Sequence, residues 1–351
     1  MKRRHIILIV GGILMLVVIA SYTTWNVLDP KHTCAQCHEV APSHADWMTS
    51  AHADVSCVEC HGTALSNGYH SLSEKIGMLI SHVKSNKHNE DILLTENQIL
   101  EISDRCASCH QSEYAGWLSG GHAVNYREIF LDSTHNVMEK PYWDCLRCHG
   151  MFYEGNIHDL MTLEGNSSEW GIRDKKQEER PAIPCLACHQ IHTENPVSKR
   201  YVSMVDSSRI TMVSNPKTAL YIRADKMHLR SDHLTKVDMV DGNRKVKVSG
   251  DPNALLCMQC HSPDYIHRTG SEDDRTPIGV HEGISCMACH EPHSNNTKKS
   301  CDKCHTNISD NCKIDVKKAN TTYLSQNSQN DIHRLTCTSC HEEYRTISYR
   351  K

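Results

Sequence analysis

Nine times in this chain a pair of cysteines, separated by two residues, is followed at once by a histidine. The copies are Cys34/Cys37/His38, Cys57/Cys60/His61, Cys106/Cys109/His110, Cys145/Cys148/His149 and Cys185/Cys188/His189. Four more follow: Cys257/Cys260/His261, Cys286/Cys289/His290, Cys301/Cys304/His305 and Cys337/Cys340/His341. They consume all of the 19 cysteines except Cys312. A disulfide framework has no use for a histidine after every second cysteine. A structural zinc site joins two knuckles into one four-ligand set, and a thioredoxin-like pair stands singly in an α/β domain. The pentapeptide is instead the attachment signal for haem c. Two thiols add to the two vinyl groups of one macrocycle, and the adjacent histidine becomes the proximal ligand of its iron. The expected cofactor load is nine haem c groups. Cys312 reads by default as a buried thiol.

Composition supports a core that is not made of side chains alone. Aromatic residues are 5% of the 351, with only two phenylalanines. So few large apolar rings give a thin core, and nine macrocycles would supply the missing apolar surface. The expected fold class is therefore mainly α with much irregular loop, the polypeptide wrapped around a nine-haem core. The net charge of −4 gives no case for nucleic-acid binding.

Lys2, Arg3 and Arg4 precede an uncharged apolar run from Ile6 to Ala20 that continues to Leu28. About 20 such residues span a bilayer. The basic cluster would stay on the inner side, and Tyr22 and Trp25 would sit at the outer interface. The reading is an N-terminal transmembrane helix, and a cleaved signal ending near Val18-Ile19-Ala20 is the alternative. Either exports the rest of the chain, so the expected location is the cytoplasmic membrane, with a single span and the body in the periplasm.

The body repeats itself loosely. Trp47 and Trp117 each stand five residues before a histidine, His52 and His122, and each ring is expected on a haem face or edge. His52, His281 and His333 stand four or five residues before a motif, and His192 and His293 lie three residues after one. These positions hold a second imidazole beside one haem, placed to cap the iron of a neighbour. Between His192 and Cys257 no cysteine occurs. Within that gap Val237–Val248 reads as a β hairpin turning at Asp241-Gly242. Residues 71–88 read as a helix with Ile76, Leu79, Ile80 and Val83 on one face. The expected organisation is an anchor at 1–28, a five-haem part at 29–200, a haem-free insert at 201–250 and a four-haem part at 251–351.

The 26 histidines exceed ordinary usage. The nine motif histidines and His5 leave enough for every iron to take two imidazoles. The candidate sixth ligands are His52, His122, His192, His281, His293 and His333. His70, His82, His135, His158 and His267 follow, with His228 and His233 as ligands returning from the insert.

The anchor followed by Cys34…His38, Cys57…His61 and a helix bearing Lys75 resembles the membrane-anchored tetrahaem quinol dehydrogenases, over roughly residues 1–90. That resemblance implies a quinol donor, with Lys75 near its site. The family often has methionine two residues after the first haem histidine, where this chain has Val40. The segment CHEVAPSHADWMTSAHADVSCVECHG also resembles the opening of octahaem cytochromes of the hydroxylamine oxidoreductase and tetrathionate reductase group, to which pentahaem nitrite reductases are related. That likeness extends to about residue 305. The lysine that replaces one haem histidine in nitrite reductases is missing here, since no Cys-x-x-Cys-Lys occurs.

Two functions follow as expectations. The first is an electron conduit from the quinol pool, or from a quinol-oxidising complex, to a periplasmic or extracellular acceptor. The second is a multihaem reductase of nitrite, hydroxylamine or tetrathionate at one open haem, with His135, His158 and Tyr153 as acid–base candidates. A subunit role in a larger respiratory assembly or a cytochrome filament is a third.

Overall fold

The computed structural model describes residues 2–27, 34–37, 40–62, 94–133, 140–163, 170–192, 218–236, 238–241, 243–261, 277–294 and ten isolated positions (76, 77, 80, 83, 136, 303, 304, 333, 335 and 336). The chain divides into two compact units. One comprises residues 1–109 and 191–196, the other residues 110–190 and 197–351. Among the described residues helices and single helical turns predominate, with three small antiparallel ribbons.

The first unit opens with α1, Lys2–Val27. Its stretch Arg3–Thr24 is long and apolar enough to cross a membrane, and none of it is buried against protein. Helix α2, Ala41–Thr49, starts with a proline in its first turn and carries Trp47 near its end. Helix α3, Cys57–His61, is the second cysteine–histidine motif itself. Helix α4, Glu96–Cys106, begins at a reciprocal cap. There Gln98 N–H donates to the Thr95 hydroxyl, and Thr95 N–H donates to the Gln98 side-chain carbonyl at 2.8 Å. Ile99 and Ile102 bury one face of α4, and the helix runs straight into Cys106. Of the helix expected at 71–88, residues 76, 77, 80 and 83 are helical, and Ile76, Ile80 and Val83 are exposed. Leu79 lies outside the described residues.

The second unit has a side-chain core of its own. Helices α5 (Gln111–Ser119), α6 (Tyr126–Phe130), α7 (Ile157–Leu160) and α8 (Lys175–Glu178) occur in this order. Strands β1 (Met161–Leu163) and β2 (Trp170–Ile172) pair between α7 and α8. Tyr126, Phe130, Leu146, Ile157, Leu160, Met161, Ile172 and Ala182 form one buried cluster. Leu146 lies inside the fourth motif, so that motif is fixed to this core directly.

Two further ribbons fall in the cysteine-free gap. Strands β3 (Ala219–Ile222) and β4 (Met227–Arg230) pair there, a ribbon that the sequence pattern did not reveal. Strands β5 (Met239–Asp241) and β6 (Arg244–Val246) form the expected hairpin, with a shifted turn. Asp241 pairs with Arg244, so Asp241 belongs to the strand rather than to the turn. Helix α9, Pro252–His261, then carries the sixth motif in its last two turns.

Candidate functional site

The spacing of each motif makes geometric sense once it is folded as helix. Side chains at i, i+3 and i+4 share a helical face, so one turn presents both sulfurs and the imidazole together. The second and sixth motifs are α-helical, in α3 and α9. The fourth, fifth and seventh are single turns closed the same way. His149, His189 and His290 N–H groups donate to the carbonyls of Cys145, Cys185 and Cys286 at 2.9, 3.0 and 2.9 Å.

Four of these motif histidines face a second histidine from a distant part of the chain. In the first unit, His61 and His192 have ring centres 6.4 Å apart. In the second unit, His261 and His122 are 6.1 Å apart, His189 and His293 6.0 Å, and His290 and His333 6.0 Å. Direct ring stacking would bring the atoms to about 3.5–4 Å. Two metal–imidazole bonds of about 2 Å, plus about 1 Å from each nitrogen to its ring centre, give about 6 Å. The four spacings fit one iron between each pair of rings.

Three other motifs differ from one another in exposure. In the first motif a single turn at Cys34–Gln36 leads straight into α2. Cys37 is only half-buried there, and its carbonyl accepts from the Val40 and Ala41 N–H groups at 3.1 and 3.0 Å. In the third motif Cys109 and His110 are both exposed. They lie at the junction where α4 has ended and α5 begins, and the His110 carbonyl accepts from the Tyr114 N–H at 2.9 Å. His110 is not a member of the four histidine pairs. Cys304 of the eighth motif is exposed in a turn.

The hydrogen bonds fit the same chemistry in the four pairs. His192 Nδ1 donates to the Ser43 carbonyl at 2.8 Å, which leaves the Nε2 lone pair for a metal. His122 is bonded to the Pro292 carbonyl, and His293 Nδ1 lies 3.3 Å from a Glu291 carboxylate oxygen. Burial, together with the imidazole opposite, lowers the pKa of His122 and of His192. Both are neutral at pH 7, the form that ligates iron.

Two glycines bring His293 into place. A Cβ on Gly116 would stand 3.3 Å from the His293 Cβ, and one on Gly120 only 2.5 Å from the His293 carbonyl oxygen. Helix α5 is therefore bare where the segment 293–294 lies on it. His333 is held differently. Ile278 N–H donates to the His333 carbonyl at 2.7 Å, and Val280 N–H to the Leu335 carbonyl at 3.0 Å.

The tryptophans do work that their spacing did not disclose. Trp47 Nε1 donates to the Val55 carbonyl at 3.1 Å, and Trp117 Nε1 to the Ile183 carbonyl at 3.0 Å. Each acceptor lies two residues before a motif, at Cys57 and at Cys185. The lead-ins HADVSC and HEGISC share another device. The N–H groups of Val55 and Ile284 donate to the carbonyls of His52 and His281, at 2.8 and 3.1 Å. His52 and His281 are thus half-buried at equivalent places before Cys57 and Cys286.

His228 is a different case. Its Nε2 donates to the Leu186 carbonyl at 2.6 Å, and its Nδ1 accepts from the Gln190 amide at 3.1 Å. With both nitrogens used, this ring has no lone pair for iron. It packs instead beside Tyr221 and Phe152. His233 lies beside Asp232, and His158 is exposed on α7. Tyr153 packs edge-on against Tyr126. His38, His70, His82, His135, His267, His305, His341, Lys75, Cys301, Cys312, Cys337 and Cys340 lie outside the described residues.

Sulfurs of different motifs meet in the second unit. Cys148 and Cys260 hydrogen-bond to each other, as do Cys257 and Cys286. Cys188 lies near both pairs. Among the described residues no cluster of three or more His, Cys, Asp or Glu side chains is arranged to hold a bare metal ion. The ligands come as pairs.

Motif turns that present two sulfurs and an imidazole, with further imidazoles opposite, define a multihaem c-type cytochrome, a class of electron-transfer proteins. The family model described as outer membrane cytochrome MtrC/MtrF-like, domains II/IV, matches residues 26–201. That is just over half of the chain, and the chain belongs to this family. A model described as cytochrome c554 and c-prime matches residues 221–291. Searches of curated proteins and of solved structures found no match.

Proposed function

We propose that the chain is a membrane-anchored nonahaem cytochrome c, carrying electrons from the quinol pool, or from a quinol-oxidising complex, to a periplasmic or extracellular acceptor. The observation that carries this reading is the set of four histidine pairs, each joining a motif histidine to a second imidazole at 6.0–6.4 Å. Haem iron held between two imidazoles is coordinatively saturated and exchanges single electrons.

The residues of the chain have separate tasks. The cysteines of the nine motifs hold the macrocycles, and the adjacent histidines are the proximal ligands. His192, His122, His293 and His333 are the sixth ligands opposite His61, His261, His189 and His290. His52 and His281 take the same role toward motifs whose histidines lie outside the described residues. Ser43, Pro292 and Glu291 fix the imidazole tautomers, as outer partners of metal-bound histidine do. At the four paired sites the irons would be saturated and would have no place for substrate, which supports the conduit there. The exposed positions Cys109, His110 and Cys304 suit a conduit as well, since haems held at the surface are where electrons enter and leave.

Helix α1 supports a tether on the cytoplasmic membrane, its basic end inside and the body in the periplasm. The likeness of residues 1–90 to membrane-anchored quinol dehydrogenases supports a quinol donor. By haem content the body divides into a five-haem part at 29–200, a haem-free insert at 201–250 and a four-haem part at 251–351.

The test is a haem count on protein purified from a host that attaches haem c. Intact mass and the pyridine haemochrome spectrum should both give nine haems per chain. A value short of nine, with free thiols at named motifs, would overturn the nonahaem reading.

A further inference from the structure

Two arginines stand immediately before a haem-binding cysteine, Arg105 before Cys106 and Arg147 before Cys148. Each reaches across to a different motif. Arg147 Nη1 donates to the Gln259 carbonyl at 2.6 Å, and Gln259 lies between Cys257 and Cys260. Arg105 Nη1 donates to the Cys60 carbonyl. The acceptors are alike, because both lie in the last turn of a helix that ends at its motif histidine, α9 or α3. Carbonyls in a last turn have no partner within their helix, and that end carries partial negative charge. A guanidinium there caps the carbonyl and complements the charge.

Each arginine is also held from behind by an acid one turn earlier. Arg147 Nε is 3.3 Å from Asp144 Oδ2, with the Asp144 side chain only 3% exposed. Arg105 Nη2 is 3.6 Å from Glu101. Contacts between the motifs follow from the clasp. The side chains of Cys148 and Cys260 meet, and Cys60 lies near Cys109. The device therefore occurs independently in both units.

We propose that Arg147 and Arg105 are positioning residues that clasp haem-attachment segments in pairs, the fourth with the sixth and the second with the third, and set a fixed cation beside each pair. The proposal rests on the haem reading given above. A sulfur of the fourth motif touches one of the sixth, so the groups they carry are neighbours. The nearby cation favours the reduced, less positive state of their irons, so it raises their reduction potentials.

The experiment compares wild type, Arg147→Gln, Arg147→Lys and Arg105→Gln as full-length holoproteins. Each is checked for haem load by mass, then titrated spectroelectrochemically and examined by low-temperature EPR. Arg147→Gln should lower the midpoint potential of one or two haems and alter the magnetic interaction between a pair of them. Arg147→Lys should keep the potentials near wild type, because the charge remains. Arg105→Gln should lower the potentials of a different pair. If Arg147→Gln loads haem poorly, Arg105→Gln gives the same reading on the other clasp. A fully loaded glutamine variant whose titration and EPR superimpose on wild type would overturn the clasp and leave the haem assignment standing. So would a lysine variant that falls as far as glutamine. A peptide map with Cys148 and Cys260 joined as a disulfide would instead overturn the haem assignment on which the clasp rests.

Discussion

The imidazoles of His290 and His333 lie 6.0 Å apart with their planes within 7° of parallel. No helix or strand among the described residues joins them, and the pairing depends on backbone hydrogen bonds between 278–280 and 333–335. If one iron sits between these rings, His333→Gly should leave the haem of Cys286 and Cys289 five-coordinate. A new high-spin EPR signal of about one haem per chain is expected. His333→Met should stay low-spin and raise that haem's potential, as methionine ligation does. An unchanged spectrum in both variants would remove His333 from the ligand set.

Gly279 controls the same pairing from the other side. Its φ is +88°, and a Cβ there would overlap the Leu335 carbonyl oxygen. Gly279→Ala meets both backbone strain of about 1–2 kcal/mol and overpacking of roughly 1–3 kcal/mol. The segment at 333–336 should detach, and part of the His290 haem should become high-spin. Gly250→Ala is the control, because its Cβ would meet nothing within 4 Å. Thermal melts with EPR on both variants check this.

Trp117 is 7% exposed, and its indole N–H holds the Ile183 carbonyl. Trp117→Phe keeps a ring in place and strands that carbonyl, at a cost of roughly 1–3 kcal/mol. A lower melting temperature is expected, with the haem load retained. Equal stability of the two proteins would show that the hydrogen bond contributes nothing.

Acid should weaken the second unit through His228. Burial, only partly offset by the bond to Leu186, lowers its pKa to about 4. An unfolded histidine takes up a proton below about 6.5. Between about 6.5 and 4 the unfolded chain therefore binds a proton that the folded one refuses, and stability falls as pH drops through that window. A difference of this size is worth about 3 kcal/mol. His228→Gln, which can still donate to Leu186, should flatten the melting temperature between pH 7 and 4.5. A variant with the same acid sensitivity as wild type would clear His228 of the effect.

The sequence made the covalent chemistry legible, because attachment depends on five consecutive residues and one helical turn. The apolar N-terminal helix was legible for the same local reason. His122, His192, His293 and His333 were recognisable as ligand candidates from recurring positions. Their opposite numbers were not, since pairing His61 with His192 or His261 with His122 requires the tertiary fold. Burial was not legible either. Cys109 and Cys304 carry the same motif as the buried Cys148, and only the folded chain separates them. His228 shows the limit of counting histidines, because its role is set by Leu186 and Gln190, which no spacing rule connects to it. The β5–β6 hairpin was read one residue early, since Asp-Gly and Gly-Asn offer competing turns. The tryptophans were expected beside haem. Their indole N–H groups tether the lead-ins at Val55 and Ile183, and an acceptor carbonyl has no sequence signature.

Irons held between pairs of imidazoles pass electrons without binding substrate. Low-temperature EPR of the oxidised holoprotein, repeated with nitrite and with hydroxylamine, decides whether this holds for the whole chain. Low-spin signals only, unmoved by either addition, are expected. A high-spin signal that shifts when either ligand is added would overturn the conduit reading, and would mark an open haem where a reductase could act.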